Sequence, residues 1–180
     1  MPRLSARIRT LALALVLTAP LAACAQQLTA ETEHVKGTDF SQYQTYRWIT
    51  DDLVLIQSGT GNENIRNVEN EKRIRAAVER ELEAKGLKKA TGDEAQLVFA
   101  FTVGTKVRYQ IQGGVTGLDL VAGEAASVTR GTLSLYAFDP ASNVQVWSGW
   151  TTKDLEPGED PDAVINAAVS VVMNEFPPKS

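Results

Sequence analysis

The chain has 180 residues, 43% of them hydrophobic, with 18 Lys and Arg against 22 Asp and Glu and a formal charge of −4. An acidic balance without clustered cations excludes nucleic acid or an anionic lipid surface as a partner held by charge, because both need grouped Lys and Arg. A single cysteine and a single histidine exclude an intramolecular disulfide and a cysteine cage for a metal, and any Ser-His-Asp triad or histidine metal centre would rest on His34 alone.

The first residues give the firmest functional signal. Arg3, Arg7 and Arg9 form a positive region, Leu11 to Thr18 an apolar run too short to span a bilayer, and Leu21-Ala22-Ala23-Cys24 ends with small residues before a cysteine. This start resembles a bacterial lipoprotein signal peptide with a lipobox. The resemblance implies cleavage before Cys24, a diacylglyceryl thioether on its sulfur and an acyl group on the new amine. Ala25, in place of an aspartate, implies delivery to the periplasmic face of the outer membrane of a Gram-negative bacterium. An ordinary secretory signal with an incidental cysteine is the alternative. Cleavage would remove three of the 18 basic residues and none of the 22 acids, leaving 157 residues with a charge of −7, enough for one domain with an ordinary core.

Residues 24–34 read as the lipidated N-terminus and a tether, because Ala25 to His34 is polar and without periodicity, and 35–180 reads as a single domain. Asp39 opens a turn into an aromatic strand ending in Tyr46-Arg47-Trp48-Ile49. Leu53 to Ile56 is a short apolar run, and Ser58 to Asn62 is a loop by composition. From about Val68, Ile74, Ala77, Val78 and Leu82 repeat at three and four residues, predicting a helix with an alternating charged face, which Gly86 ends in a Schellman turn with Leu87 packed on Leu82. Ala95 to Val103 is a strand apolar on both faces, with Leu97, Phe99, Phe101 and Val103 on one side and Val98 and Ala100 on the other, and is expected at the sheet centre. Glycines divide Gly104 to Arg130 into one or two short strands joined by turns. Its Gly-Gly-Val-Thr-Gly lacks the Gly-Lys-Ser/Thr of a phosphate loop. Asp160-Pro161 caps a second helix whose stripe is Ile165, Ala168, Val169, Val172 and Phe176.

Between these, Gly131 to Trp150 reads as a β-hairpin turning at Pro140 to Asn143. With Ala137 opposite Val146 and Leu135 opposite Ser148, one face carries Leu133, Leu135, Ala137, Val144, Val146 and Trp150. Tyr136, Phe138 and Trp147 fall on the other face, with Tyr136 opposite Trp147. These three aromatic residues are the candidate partner-binding residues. Either the segment Gly104 to Arg130 or the strand near Tyr46 and Trp48 covers them as a second small core, or they stay open as a contact site for protein or lipid acyl chains.

The Asp39-Phe40-Ser41-x-Tyr43-x-Thr45-Tyr46-x-Trp48 run, the Lys85-Gly86-Leu87 helix end, the Gly131-Thr132-Leu133 hairpin reaching Val146-Trp147, and the closing Phe176-Pro177-Pro178 resemble the DUF4136 family of bacterial lipoproteins. The resemblance covers nearly all of the chain after Cys24 and brings no catalytic residues with it. The fold expected is α+β: a two-layer sandwich with two helices on one face of a largely antiparallel sheet of five or six strands.

Candidate catalytic groups are few. Asp39, Asp93, Glu94 and Asp139 can supply an acid–base pair, but Asp39 and Asp139 already serve as turn openers and Asp93-Glu94 follow a glycine in a solvated connection. The five acids from Asp154 to Asp162 lack the spacing of a calcium loop. The expectation is a non-catalytic binding or assembly module, with no cofactor, no metal, and Cys24 as the lipidation site, whose partners are the membrane through that lipid and an envelope protein or lipid. A carboxylate-dependent periplasmic hydrolase and a purely structural envelope component are the alternatives.

Overall fold

The structure is a computed structural model that describes residues 28–53, 65–111 and 125–177. Cys24 with the residues read as its signal, most of the apolar run before Ile65, and the glycine-rich 113–117 lie outside the described residues. Six strands, β1 (Ala30–His34), β2 (Thr45–Trp48), β3 (Lys88–Lys89), β4 (Leu97–Ile111), β5 (Ala125–Asp139) and β6 (Val144–Leu155), form one sheet in the order β1-β6-β5-β4-β2-β3. The pairings are antiparallel except where β2 runs parallel to β3 and β4. Two helices, α1 (Val68–Ala84) and α2 (Pro161–Met173), pack together on one face, giving the α+β sandwich expected.

Local signals decide the element ends. Asn67 caps α1 by accepting from the Asn70 amide at 2.8 Å, and Gly86, at φ 89°, reverses the chain so that Leu87 N–H reaches Leu82 O at 3.1 Å and Gly86 N–H reaches Glu83 O at 2.9 Å. That is the Schellman pattern, which satisfies carbonyls a helix end leaves open. Leu82 and Leu87 are both buried under it. Asp160 caps α2 from its Oδ1 to the Asp162 amide at 3.1 Å, with Pro161 first in the helix. Asn143 takes φ 58° in the hairpin turn, and Asp139 accepts from the Ala141 amide at 2.8 Å.

The core is the helix side of the sheet. Trp147, Phe99 and Tyr46 meet edge to face with their neighbours, Trp147 to Phe176 at 5.0 Å, Phe99 to Phe176 at 5.4 Å and Tyr46 to Phe99 at 6.1 Å, and Val169 and Val172 of α2 are fully buried beside them. Burial pushes the Tyr46 phenol far above its ordinary pKa, with the charges of Glu79 and Glu83 adding to it. The α1 face is less solvated than its alternating charges imply. Glu71 is fully buried and pairs with Arg75 at 3.0 Å, and Arg75 also donates to Thr50 O and Asp52 O and lies 5.1 Å over the Trp48 ring. This pins the chain leaving β2 onto α1.

Three expectations are corrected. Residues 30–34 are no tether but edge strand β1, paired to β6 from Ala30 opposite Thr151 to His34 opposite Trp147. Gly104 to Arg130 is not a set of short strands. β4 continues to Ile111 and β5 starts at Ala125, so the two make one unbroken antiparallel ladder from Val98 with Phe138 to Ile111 with Ala125. The third correction is the hairpin register. It holds for Asp139 with Val144 and Phe138 with Gln145, then slips so that Ala137 pairs with Trp147 and Leu135 with Gly149, because Val146 is an extra residue in β6. Such a β-bulge places two residues against one and inverts the alternation beyond it.

Candidate functional site

The bulge decides what each sheet face presents. Trp147 was expected beside Tyr136 and Phe138, but it turns to the helix side and is fully buried. Tyr136 instead pairs with Ser148. Trp150, expected in the core, turns the other way, between Ser134 of β5 and Glu31 of β1. Gly149 makes the new register possible: a Cβ there would come within 2.7 Å of the Trp147 ring and 2.8 Å of Val172.

The face opposite the helices therefore carries Tyr136, Phe138 and Trp150, all half-buried. Tyr136 and Phe138 lie with ring centroids 6.5 Å apart, tilted by 33°. Their neighbours on this face, Val98, Ala100 and Ser148, are buried at 6%, 7% and 5% exposure. Neither covering expected from the sequence occurs among the described residues, because Tyr46 and Trp48 pack on the helix side and the extended β4–β5 ladder lies in the sheet itself. Charge borders the aromatic area. Glu31 and Glu33 stand on β1, and Arg130 of β5 makes a two-bond pair with Asp154 of β6 at 2.6 and 2.8 Å, which holds the Arg130 guanidinium above its ordinary pKa.

On the helix side a cavity of about 480 Å³ opens at the far end of the sheet. Strand and helix lengths explain it. A 15-residue strand extends about 50 Å, whereas the 17 residues of α1 cover about 25 Å. The helices therefore cannot roof the whole ladder. Val103, Leu133 and Leu155 line the floor, and Ile74, Val164 and Ile165 line the walls from the two helices. At the mouth Lys153 pairs with Glu159, and Glu159 also accepts from the Glu156 amide at 3.0 Å. These hydrogen bonds, Lys153's first, hold its carboxyl below the ordinary value.

The candidate carboxylates fall at the opposite end. Glu94 and Asp139 line one polar depression of about 500 Å³ together with Tyr43, Arg47 and Gln96. Asp139 is already engaged, by the turn amides and by the Tyr43 hydroxyl donating to Oδ2 at 3.4 Å. Burial first, then the Asp139 charge, raises the Tyr43 pKa. Asp39 lies apart, capping its own 3-10 turn through the Ser41 amide at 3.0 Å, and Asp93 belongs to the 3-10 turn Gly92–Glu94. His34 is exposed at the end of β1 with its ring 6.5 Å from Phe40. Asp154, Glu159, Asp160 and Asp162 are divided among Arg130, Lys153, a helix cap and Arg73 at 3.0 Å. Among the described residues no three His, Cys, Asp or Glu side chains converge as metal ligands, and no helix is long and apolar enough to cross a membrane.

Sequence reasoning placed Tyr136 and Phe138 on the sheet face away from the helices and missed Trp150 and the cavity. Gly149, two residues after a tryptophan, was the one available sign of a close approach at Trp147. Among solved structures the chain is similar to a PDZ domain protein from Parabacteroides distasonis, with a TM-score of 0.55 at 14% identity over 86% of this chain and 36% of that one. It is also similar to the PelC dodecamer from Paraburkholderia phytofirmans in two crystal forms, with TM-scores of 0.49 and 0.46 at 11% and 12% identity over 82% of this chain and 96% and 95% of those. At 14% identity the first likeness bears on the fold alone, and this chain spans about a third of that protein's length. No curated protein matches the sequence. The sequence model described as "Domain of unknown function (DUF4136)" matches residues 30–178, the whole span from β1 past α2, and the chain belongs to the DUF4136 family.

Proposed function

We propose that this protein is a lipid-anchored module on the periplasmic face of the outer membrane that binds an envelope protein and catalyses no reaction. The observation that carries the reading is the aromatic sheet face of Tyr136, Phe138 and Trp150, which neither helix covers. Aromatic residues grouped at the centre of a surface and bordered by charge match the anatomy of protein interfaces, where a few buried rings supply most of the affinity. Glu31, Glu33 and the Arg130–Asp154 pair supply that border and favour a protein over a lipid surface, which would meet the acidic edge unfavourably. The anchor rests on Cys24 and the lipobox before it.

The test is a photo-crosslinking residue at Ser134, on the aromatic face, in cells carrying the full chain. A discrete protein adduct, lost on Trp150→Ala and kept on Lys72→Ala of the exposed helix surface, is the expected result. Adduct formation that ignores Trp150 would refute the assignment of the surface. Separately, Cys24→Ser should accumulate uncleaved precursor and take up no labelled fatty acid, and normal maturation to a soluble form would remove the anchor from the reading.

A second reading has one observation behind it: Glu94 and Asp139 share the polar depression beside Tyr43 and Arg47. A carboxylate-dependent hydrolase would need Asp139 free to transfer a proton, and its turn amides hold it as an acceptor. The binding reading accounts for Asp139 without further assumption.

A further inference from the structure

We infer that the cavity at the far end of the helix side is a binding site for one acyl chain of the protein's own Cys24 lipid. The inference rests on the anchoring reading above, and it adds a site that reading does not require. The cavity's wall is aliphatic, with Ile74, Val103, Leu133, Leu155, Val164 and Ile165. Of these Val103, Leu155, Val164 and Ile165 remain only half-buried, so apolar surface is left over after folding. Its volume of about 480 Å³ falls within the range of about 300 to 1,000 Å³ typical of small-molecule sites, and a single acyl chain is a slender shape that such a groove accepts.

The position of the N-terminus selects the occupant. β1 runs antiparallel to β6, so the direction from His34 to Ala30 is the direction from Trp147 to Thr151. Lys153 and Leu155, two residues lining the cavity, come next along β6. Thr151, itself part of the lining, donates its hydroxyl to Thr29 O at 2.7 Å. The described chain thus begins against the cavity wall. Cys24 lies six residues before Ala30, a reach of at most about 20 Å, and a ligand on so short a tether has an effective concentration on the order of millimolar. Each methylene withdrawn from water favours the sheltered state. In a bilayer that gain vanishes, so the site fills when the anchor is out of the membrane and empties when it inserts.

The experiment uses the full acylated protein, extracted in detergent and then freed of it, with p-benzoylphenylalanine placed at Ile165 in the cavity or at Tyr136 on the opposite sheet face. After irradiation and digestion, mass spectrometry reads the adducts. The expected result is a crosslink from Ile165 to the lipidated N-terminal peptide, none from Tyr136, and loss of the Ile165 adduct when the protein is inserted into phosphatidylethanolamine vesicles. Leu155, half-exposed on the cavity floor, is a second position should the Ile165 variant not fold. Adducts only to free lipid, only to residues 54–64, only to another protein, or to nothing each overturn the inference. An N-terminal peptide found without acyl groups overturns the anchoring reading as well, and the same spectra report it.

Discussion

Trp147 and Trp150 lie three residues apart on one strand, and the two faces of the sheet have made them different residues. Trp147 is fully buried against Phe176 and α2, and Trp150 is half-buried on the side that the helices leave alone. In a regular strand, residues three apart already point to opposite faces. What the bulge at Val146 settles is which tryptophan goes inside. It sends inward the one that Gly149 can accommodate, and Val146 and Trp147 both become core residues. The lesson is that one inserted residue separates a face packed under the helices from a face they leave uncovered more sharply than composition does, since both faces carry aromatic residues.

The largest break in that comparison is Trp147→Ala. Emptying a fully buried indole site should cost about 3 to 5 kcal/mol, read as a lower urea midpoint with an unchanged slope. Next is Gly149→Ala, whose methyl meets the Trp147 ring at 2.7 Å and Val172 at 2.8 Å. Overpacking there should cost about 1 to 3 kcal/mol, and combining it with Trp147→Ala should recover part of the loss, because the clash partner is gone. Trp150→Ala should cost less than about 1 kcal/mol, the scale of a cross-strand side-chain pair, while weakening partner capture.

The smallest effect concerns pH and the cavity mouth. The Glu159 carboxyl is held below its ordinary value by Lys153 and by the Glu156 amide. A group whose folded pKa is depressed contributes stability that is complete above its unfolded value and is lost as pH falls through the folded one. Acidification from neutral should therefore show a small destabilisation that begins near pH 4.5, the ordinary value for the group, and continues below it. Glu159→Gln should remove that component of the acid profile, and an identical profile in both proteins would show that the pair adds nothing.

How much of this was legible depends on how local the cause is. The Schellman turn at Gly86, the cap at Asp160, the left-handed Asn143 and the central position of β4 were all readable, because each is set by residues within one turn or one strand. β1 was not. Its Ala-Glu-Thr-Glu-His sequence has no apolar alternation, since an edge strand is held by ladder bonds and guarded by charge. Gly104 read as a breaker and Gly131 as the start of the hairpin, yet both sit inside strands, and at Gly131 the missing Cβ leaves room for Leu155, whose Cδ1 would be 3.2 Å away. The ladder's true length was therefore hidden, and with it the mismatch with the helices that opens the cavity. The sole sign of the bulge in β6 was Gly149, so Trp147 was grouped with Tyr136 and Phe138 in a register that holds only at Phe138 and Asp139.

In the proposed reading the face bearing Trp150 is for contact and the face bearing Trp147 is for stability. One paired measurement on Trp150→Ala in the full chain separates the two roles: the urea midpoint of the purified variant alongside the yield of the Ser134 photo-adduct in cells. The midpoint should stay close to that of the wild-type protein and the adduct should fall to background. A midpoint that falls as far as that of Trp147→Ala, or an adduct that persists at wild-type yield, would contradict that reading.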